Sequence, residues 1–81
     1  MTITVLTFAG IREIVGTSEL HIGCEGATTV AELRLSLQRL YPKLNGLLPA
    51  CLIAVNEVAA TDTTGLRPGD VVAILPPVNG G

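Results

Sequence analysis

Residues 76–81, Pro-Pro-Val-Asn-Gly-Gly, are the stretch of this sequence whose residue types and spacing are best suited to chemistry. Pro76 and Pro77 have a fixed φ and no backbone N–H, so they favour a stiff polyproline II stem. Gly80 and Gly81 have no side chain, so the tip is narrow and reaches at most about 20 Å from Pro76. Such a tail could enter a cleft of another protein with its carboxylate first, whereas the alternative is an ordinary frayed chain end.

The α-carboxylate of Gly81 is the candidate reactive group. A carboxylate is a poor electrophile, so its use requires activation by another protein, for instance adenylation. A sulfur nucleophile could then displace AMP and leave a C-terminal thiocarboxylate, which can donate sulfur in the pocket of another enzyme. On this hypothesis the chain is a carrier with no active site of its own.

The other groups that could do chemistry have simpler explanations. His21 is the only histidine and falls on the polar face of a predicted strand, which argues against a catalytic triad or a zinc site. Cys24 and Cys51 form no C-x-x-C motif, and we expect free, buried thiols in a reducing compartment. Asp62 and Asp70 fall in predicted loops, where turn formation or helix capping is the usual role. No metal site is predicted.

Length and composition limit the classes of protein to consider. The 81 residues suffice for one domain, and the 48% apolar content predicts a packed core that must be aliphatic because Phe8 and Tyr41 are the only aromatic residues. The net charge of -2, without a basic stripe, argues against nucleic acid as a partner. No apolar run reaches the length of a membrane span and no signal segment is evident, so we expect a cytoplasmic protein that does not bind membranes.

Hydrophobic patterning predicts the elements that position the tail. Strands are expected over residues 2–9, 18–24, 51–55, 58–60 and 71–75, the first and last of them central because both faces are apolar. Residues 11–15 are expected to form a turn or a single helical turn, residues 56–57 a turn, and residues 67–70 a type II turn. One helix on one face of a mixed sheet is an α+β fold.

The predicted helix runs from residue 30 to about residue 40 or 41, before Pro42. Thr29 is its expected N-cap, with Glu32 at the spacing of a capping box. The expected buried stripe consists of Val30, Leu33, Leu37 and Leu40. Residues 42–50 are predicted to be a loop that is anchored by Leu44, Leu47 and Leu48.

Four stretches occur in the order and spacing of a known family. They are residues 6–9 with 12–16, residues 29–33, residues 54–56, and residues 69–70 leading into 72–73 and 76–81. Over its whole length the sequence thereby resembles the small subunits of molybdopterin synthase, a family of ubiquitin-like sulfur carriers. The terminal motif is the specific one.

The resemblance implies a fold and a reaction sequence. The fold would be an α+β ubiquitin-like β-grasp, with four to five strands and one main helix on one face, over residues 1–75, followed by an extended tail over residues 76–81. Gly81 would be adenylated by a ubiquitin-activating-like adenylyltransferase that uses ATP, and a sulfur donor protein would lead to the thiocarboxylate. No cofactor would be permanently bound. The large subunit, in a heterotetramer with the small one, would then convert precursor Z to the dithiolene molybdopterin.

The resemblance also implies which residues contact partners. These are the apolar pair Phe8 and Leu75, with Leu6 on the same face as Phe8, and the tail residues Pro76, Pro77, Val78, Asn79 and Gly80. Two positions depart from the family pattern. Asn79 stands where Ser or Thr is common, and Thr7 stands where an aromatic residue is common, and we expect both to affect affinity rather than mechanism.

Three other functions are compatible with these features. The chain could carry sulfur for another pathway, such as thiazole or cysteine synthesis, because such carriers share the fold and the Gly-Gly end. It could be a ubiquitin-like module whose tail forms an amide with lysines of other proteins. It could also be a plain β-grasp interaction domain with an inert tail.

Overall fold

The computed structural model describes residues 1–24, 26 and 28–77, and within them the chain forms seven strands, two α-helices and two 3-10 helices. The strands are β1 (Thr2–Thr7), β2 (Glu19–Gly23), β3 (Thr28–Thr29), β4 (Leu52–Val55), β5 (Val58–Ala60), β6 (Gly65–Leu66) and β7 (Val71–Leu75). The α-helices are α1 (Ala9–Val15) and α2 (Val30–Leu40), and the 3-10 helices are Pro42–Gly46 and Leu48–Ala50. The prediction of an α+β fold is confirmed.

Within the described residues, five strands form one mixed sheet in the order β2-β1-β7-β4-β5. β1 and β7 are parallel, and the other neighbouring pairs are antiparallel. The central positions predicted for β1 and β7 are confirmed. The two-stranded sheet of β3 and β6 was not predicted, because strands of two residues are too short to show a hydrophobic period.

The core lies between α2 and one face of the five-stranded sheet. Val30, Leu33 and Leu37 of α2 are buried in one cluster with the inward residues of β1 and β7, which are Ile3, Val5, Val72 and Ile74. Burial of each such side chain contributes roughly 1.5–3 kcal/mol, an upper figure because unfolded chains already bury some apolar surface. The predicted helix stripe is therefore confirmed for its first three members.

The prediction that Leu40, the fourth member of the stripe, is buried is wrong, because this side chain is 60% exposed. The helix ends at Leu40, and the chain turns at Tyr41 into the first 3-10 helix. Leu44 and Leu48, on the 3-10 helices that follow, are fully buried in the core cluster instead.

The segment between α2 and β4 differs from the predicted loop. It consists of two 3-10 helices, each with a proline at its first or second position, where the missing N–H has no helical partner to lose. Leu44 and Leu48 are the predicted anchors, whereas the prediction for Leu47 is wrong because this side chain is 41% exposed.

The capping box at the start of α2 is only half formed. Thr29 Oγ1 accepts a hydrogen bond of 3.2 Å from the backbone N–H of Glu32, as predicted. The Glu32 carboxylate instead accepts a hydrogen bond of 2.6 Å from the Thr28 hydroxyl. Thr29 also belongs to β3, where it is paired with Gly65 of β6, so its backbone is held by the ladder rather than by Glu32.

The strand predicted over residues 2–9 ends two residues earlier, at Thr7. Phe8 is still extended, but it is the N-cap residue of α1, and Ala9 is the first helical residue. The expected single helical turn is thus a seven-residue helix. It ends at Gly16, whose φ of 87° is the left-handed conformation that glycine adopts without steric cost.

Candidate functional site

The tail leaves the domain from the middle of the sheet. β7 ends at Leu75, which is paired with Leu52 of β4, and Pro76 and Pro77 follow directly. Pro76 is half-buried and Pro77 is exposed. Since neither proline has an N–H for the ladder, the strand ends here as predicted. The predicted contact residues Val78, Asn79 and Gly80 and the reactive Gly81 lie outside the described residues.

The face of the sheet opposite α2, which we call the outer face, is apolar at its centre. Alternation along the strands places six apolar residues on this face: Leu6, Leu52, Ala54, Val71, Ala73 and Leu75. In the register of the sheet, Ala73 lies between Leu6 and Ala54, and Leu75 lies beside Leu52. Leu52 is 68% exposed, Leu75 38% and Val71 37%. Contiguous exposed apolar side chains of this kind mark an interaction surface more often than scattered ones do.

Two of the predicted contact residues, Phe8 and Leu75, lie at the same end of this face. Phe8 is 42% exposed and has the extended φ of -138° and ψ of 155°, so it continues the alternation of β1 on the side of Leu6. The last pair of the parallel ladder joins Thr7 to Ile74, and one further step along both chains brings Phe8 beside Leu75. Phe8 and Leu75 therefore lie next to the point where the tail begins, and Leu6, which is paired with Ala73, lies nearer the middle of the face.

Sequence reasoning missed Leu52 and Val71 as members of the outer face. The available signal was the alternation of β4 and β7, in which apolar residues occupy both the inward and the outward positions. Thr7, the position that is often aromatic in the family, is on the inner side: it is 2% exposed and its hydroxyl donates a hydrogen bond to the carbonyl of Thr17. This departure therefore changes the core and not the outer face.

A polar group flanks the outer face on the edge strand β2. His21 Nε2 lies 3.0 Å from Glu19 Oε2, and His21 Nδ1 lies 3.4 Å from Thr4 Oγ1. Both His21 and Glu19 side chains are more than half exposed. The prediction that His21 lies on the polar face of its strand is confirmed, and its contacts with Glu19 and Thr4 account for it without a catalytic role.

The opposite end of the outer face is closed by Asn56 and Asp70. Asn56 Oδ1 accepts from the N–H of Val71 at 3.0 Å, and Asn56 Nδ2 donates to Asp70 Oδ1 at 3.0 Å. Asp70 Oδ2 accepts from the N–H of Arg67 at 2.8 Å. The hydrogen bonds from the Arg67 backbone and from Asn56 lower the pKa of Asp70. Asp70 thus stabilises the turn that includes Gly69, whose φ is 93°. The predicted turn at residues 67–70 and the predicted role of Asp70 in turn formation are both confirmed.

Neither thiol has the environment of a nucleophile. Cys51 is 3% exposed, and burial raises its pKa although the Arg34 guanidinium partly opposes the shift. Cys24 is half-buried, with its Sγ 2.7 Å from the carbonyl oxygen of Gly26. Both cysteines are free, as predicted.

Among the described residues no group of three or more His, Cys, Asp or Glu side chains could hold a metal ion, and no helix is long and apolar enough to cross a bilayer.

A family model described as the ThiS family matches residues 5–81, nearly the entire chain including the Gly-Gly end. The chain belongs to the ThiS family. This ThiS-family chain is 34% identical over 83 aligned positions to the molybdopterin synthase sulfur carrier subunit of Chlamydomonas reinhardtii, covering 100% of both chains. The resemblance to molybdopterin synthase small subunits is thereby confirmed.

Solved structures agree with the fold of this ThiS-family chain. One is the protein-protein complex of subunits 1 and 2 of the molybdopterin-converting factor from Helicobacter pylori, with a TM-score of 0.70, 30% identity and coverage of 100% of both chains. Another is small archaeal modifier protein 1 from Methanosarcina acetivorans, with a TM-score of 0.84, 30% identity, and coverage of 99% of this chain and 96% of that chain. The predicted ubiquitin-like β-grasp fold is confirmed.

Proposed function

We propose that this chain is the sulfur carrier subunit of a cytoplasmic molybdopterin synthase. The observation that carries the proposal is the exposed apolar outer face whose central strand, β7, leads directly through Leu75 into Pro76 and Pro77. A docking surface and a reactive tail on one strand allow a partner to hold the domain while the tail occupies its active site. The full-length similarity to molybdopterin synthase sulfur carrier subunits supports the same function.

The proposed chemistry takes place on the carboxylate of Gly81. A carboxylate oxygen attacks the α-phosphorus of ATP in a ubiquitin-activating-like adenylyltransferase, which releases pyrophosphate and forms an acyl adenylate. Hydrosulfide supplied by a donor protein then attacks the acyl carbon, AMP leaves with the oxygen, the S–H proton is lost to solvent, and a thiocarboxylate results. ATP is a substrate of the activating enzyme, and this chain needs no resident cofactor.

The proposed acceptor is precursor Z in the active site of the large subunit. The tail delivers the thiocarboxylate there and sulfur is transferred to the pterin precursor. Water supplies the oxygen when the acyl carbon–sulfur bond is broken, so the carrier returns as the carboxylate for another cycle. Catalytic side chains belong to the large subunit, with which this chain forms a heterotetramer. The buried Cys51 and the half-buried Cys24 have no part in the transfer.

The experiment that tests this function is the intact mass of the protein after incubation with ATP, the activating enzyme of the organism and a sulfur donor. We expect a gain equal to the exchange of one oxygen for sulfur, and no gain in a variant that lacks Gly81. Addition of the large subunit and precursor Z should return the mass to its starting value with formation of molybdopterin. An unchanged mass would overturn the proposal if the activating enzyme is shown separately to be competent in adenylation.

The similarity to small archaeal modifier protein 1 favours one alternative, protein modification, in which the activated Gly81 forms an amide with lysines of other proteins. The same incubation distinguishes the two functions. A carrier gains sulfur and passes it to a small molecule, whereas a modifier yields covalent conjugates in a cell extract that persist in denaturant. One residue added after Gly81 should abolish either activity without changing the fold.

A further inference from the structure

A shallow depression of about 350 Å³ lies on the outer face, at the end of β7 that is remote from the tail. It is lined by the apolar side chains Leu6, Val71 and Ala73 and by the turn residues Asn56 and Glu57. Val71 is the first residue of β7, whereas Pro76 follows its last residue, so this depression and the tail are at opposite ends of one strand. Its lining is therefore mostly apolar, and Glu57 is the lining residue that carries a charge.

The turn that contains Glu57 is held in one position. Asn56 and Glu57 have φ angles of 50° and 70°, the left-handed conformation at both central positions of the hairpin between β4 and β5. Glycine or asparagine is usual at such positions, so Glu57, whose side chain is exposed, adopts a backbone conformation that is unfavourable for its residue type but that the two-residue hairpin loop requires. Three hydrogen bonds fasten Asn56 to Asp70 and to both backbone groups of Val71.

The carboxylate of Glu57 forms no salt bridge with a described cation; the ion pairs of the described residues are His21 with Glu19 and Arg34 with Asp62. The nearby Asp70 is already held by Asn56 and by the backbone of Arg67. An acidic side chain of a partner would be repelled here, and a purely apolar one would leave the carboxylate of Glu57 unpaired. A long aliphatic side chain with a cationic head suits both parts of the site.

We propose that this depression and Glu57 bind one lysine or arginine side chain of the molybdopterin synthase large subunit. The inference rests on the proposed function, since it assumes that the outer face docks on that subunit. The aliphatic stem packs on Leu6, Val71 and Ala73, and the charged head pairs with Glu57. Leu6 and Ala73 belong both to the depression and to the apolar centre of the outer face, so the ion pair lies at the border of one continuous interface and helps to orient it.

The test is the dissociation constant of the complex with the purified large subunit of the same organism, measured by calorimetry at two salt concentrations. We expect Glu57→Gln to weaken binding about fivefold and Glu57→Lys about thirtyfold, because the second change adds repulsion to the loss of the pair. Binding of the wild type should weaken with salt more steeply than binding of Glu57→Gln. Glu13→Lys, the same charge change on the exposed surface of α1, is the matched control and should change binding less than twofold.

Circular dichroism of each variant checks the fold, and if Glu57→Lys proves misfolded, the isosteric Glu57→Gln decides the question alone. Equal binding of the wild type and Glu57→Gln, with equal salt dependence, overturns this proposal and leaves the proposed function intact. Failure of the wild type to bind the large subunit at all overturns the proposed function, and this proposal with it. A loss of binding that Glu13→Lys shares to the same extent also overturns it, because the effect is then one of net charge.

Discussion

Single polar side chains join distant segments of the chain on both sides of the sheet. Asn56 and Asp70 join the hairpin after β4 to the turn before β7. On the other side of the sheet, the Arg34 guanidinium donates to Asp62 Oδ1 at 2.9 Å and to the carbonyl oxygens of Leu48 and Cys51. Each of these side chains satisfies groups that are far apart in sequence, so each fixes a loop that local propensity leaves open.

We predict that Asp70→Asn lowers the free energy of unfolding at pH 7, because the ionised carboxylate is the better acceptor for the Arg67 N–H and the Asn56 amide. The pKa of Asp70 is lowered in the folded state. The contribution of the Asp70 charge to the free energy of unfolding is therefore fully present above the unfolded pKa of about 3.9. It is lost as the pH falls through the pKa that Asp70 has in the folded state.

Urea unfolding of wild type and Asp70→Asn between pH 7 and pH 2 measures this effect. The difference in stability should be constant down to about pH 4 and then narrow as the pH falls further. A difference that is independent of pH over the whole range would show that the charge of Asp70 makes no contribution.

At the scale of elements, the start of α2 depends on its N-cap. The first N–H groups of a helix have no partner within the helix, and Thr29 Oγ1 accepts from one of them at the Glu32 position. Because α2 carries Val30, Leu33 and Leu37 into the core, loss of the cap acts on the whole domain and not on the first turn alone.

We predict that Thr29→Ala lowers the free energy of unfolding by about 1 kcal/mol, the usual effect of removing a threonine cap. Urea unfolding monitored by circular dichroism measures it. Thr63→Ala is the matched control, since Thr63 is exposed in the loop before β6, and it should change stability by less than about 0.5 kcal/mol. Equal effects of the two substitutions would contradict the capping role of Thr29.

At the scale of the whole molecule, the five-stranded sheet has one face that packs in the core and one face whose apolar side chains stay partly exposed. Adjacent residues of β7 illustrate the division: Ile74 is 1% exposed in the core, whereas Leu75 is 38% exposed on the outer face. The domain therefore keeps apolar side chains in solvent on the very strand that leads into the tail, which favours a protein that works inside a complex.

We predict that Ile74→Val lowers the free energy of unfolding by about 1 kcal/mol, since it removes one buried methylene. Leu75→Val should change it by less than about 0.5 kcal/mol, because the outer face is not packed in the isolated domain. Unfolding in urea compares the two variants directly. A larger loss for Leu75→Val would mean that the outer face is part of the folding core.

The sequence by itself determined much of the architecture. Strong periodicity predicted α2 and the central strands β1 and β7, and the turn at Gly69 followed from Pro and Gly at positions with defined backbone requirements. The inward positions of Val30, Leu33 and Leu37 also followed from a local period, because a helix with one apolar stripe has only one way to bury it. The resemblance also singled out Phe8 and Leu75, which lie exposed at the end of the outer face where β7 leads into Pro76.

Tertiary structure alone decided which apolar residues stay exposed. Leu40 extends the helix stripe by period, yet it is exposed because Leu44 and Leu48 reach the core from the 3-10 helices. Leu52 joins the outer face only because β4 is paired with β7 in the register that places it beside Leu75. A local pattern records that a residue is apolar, whereas its burial depends on what packs over it. The packing over a residue is set by pairings between residues far apart in the chain, and hydrophobic periodicity contains no information on such pairings.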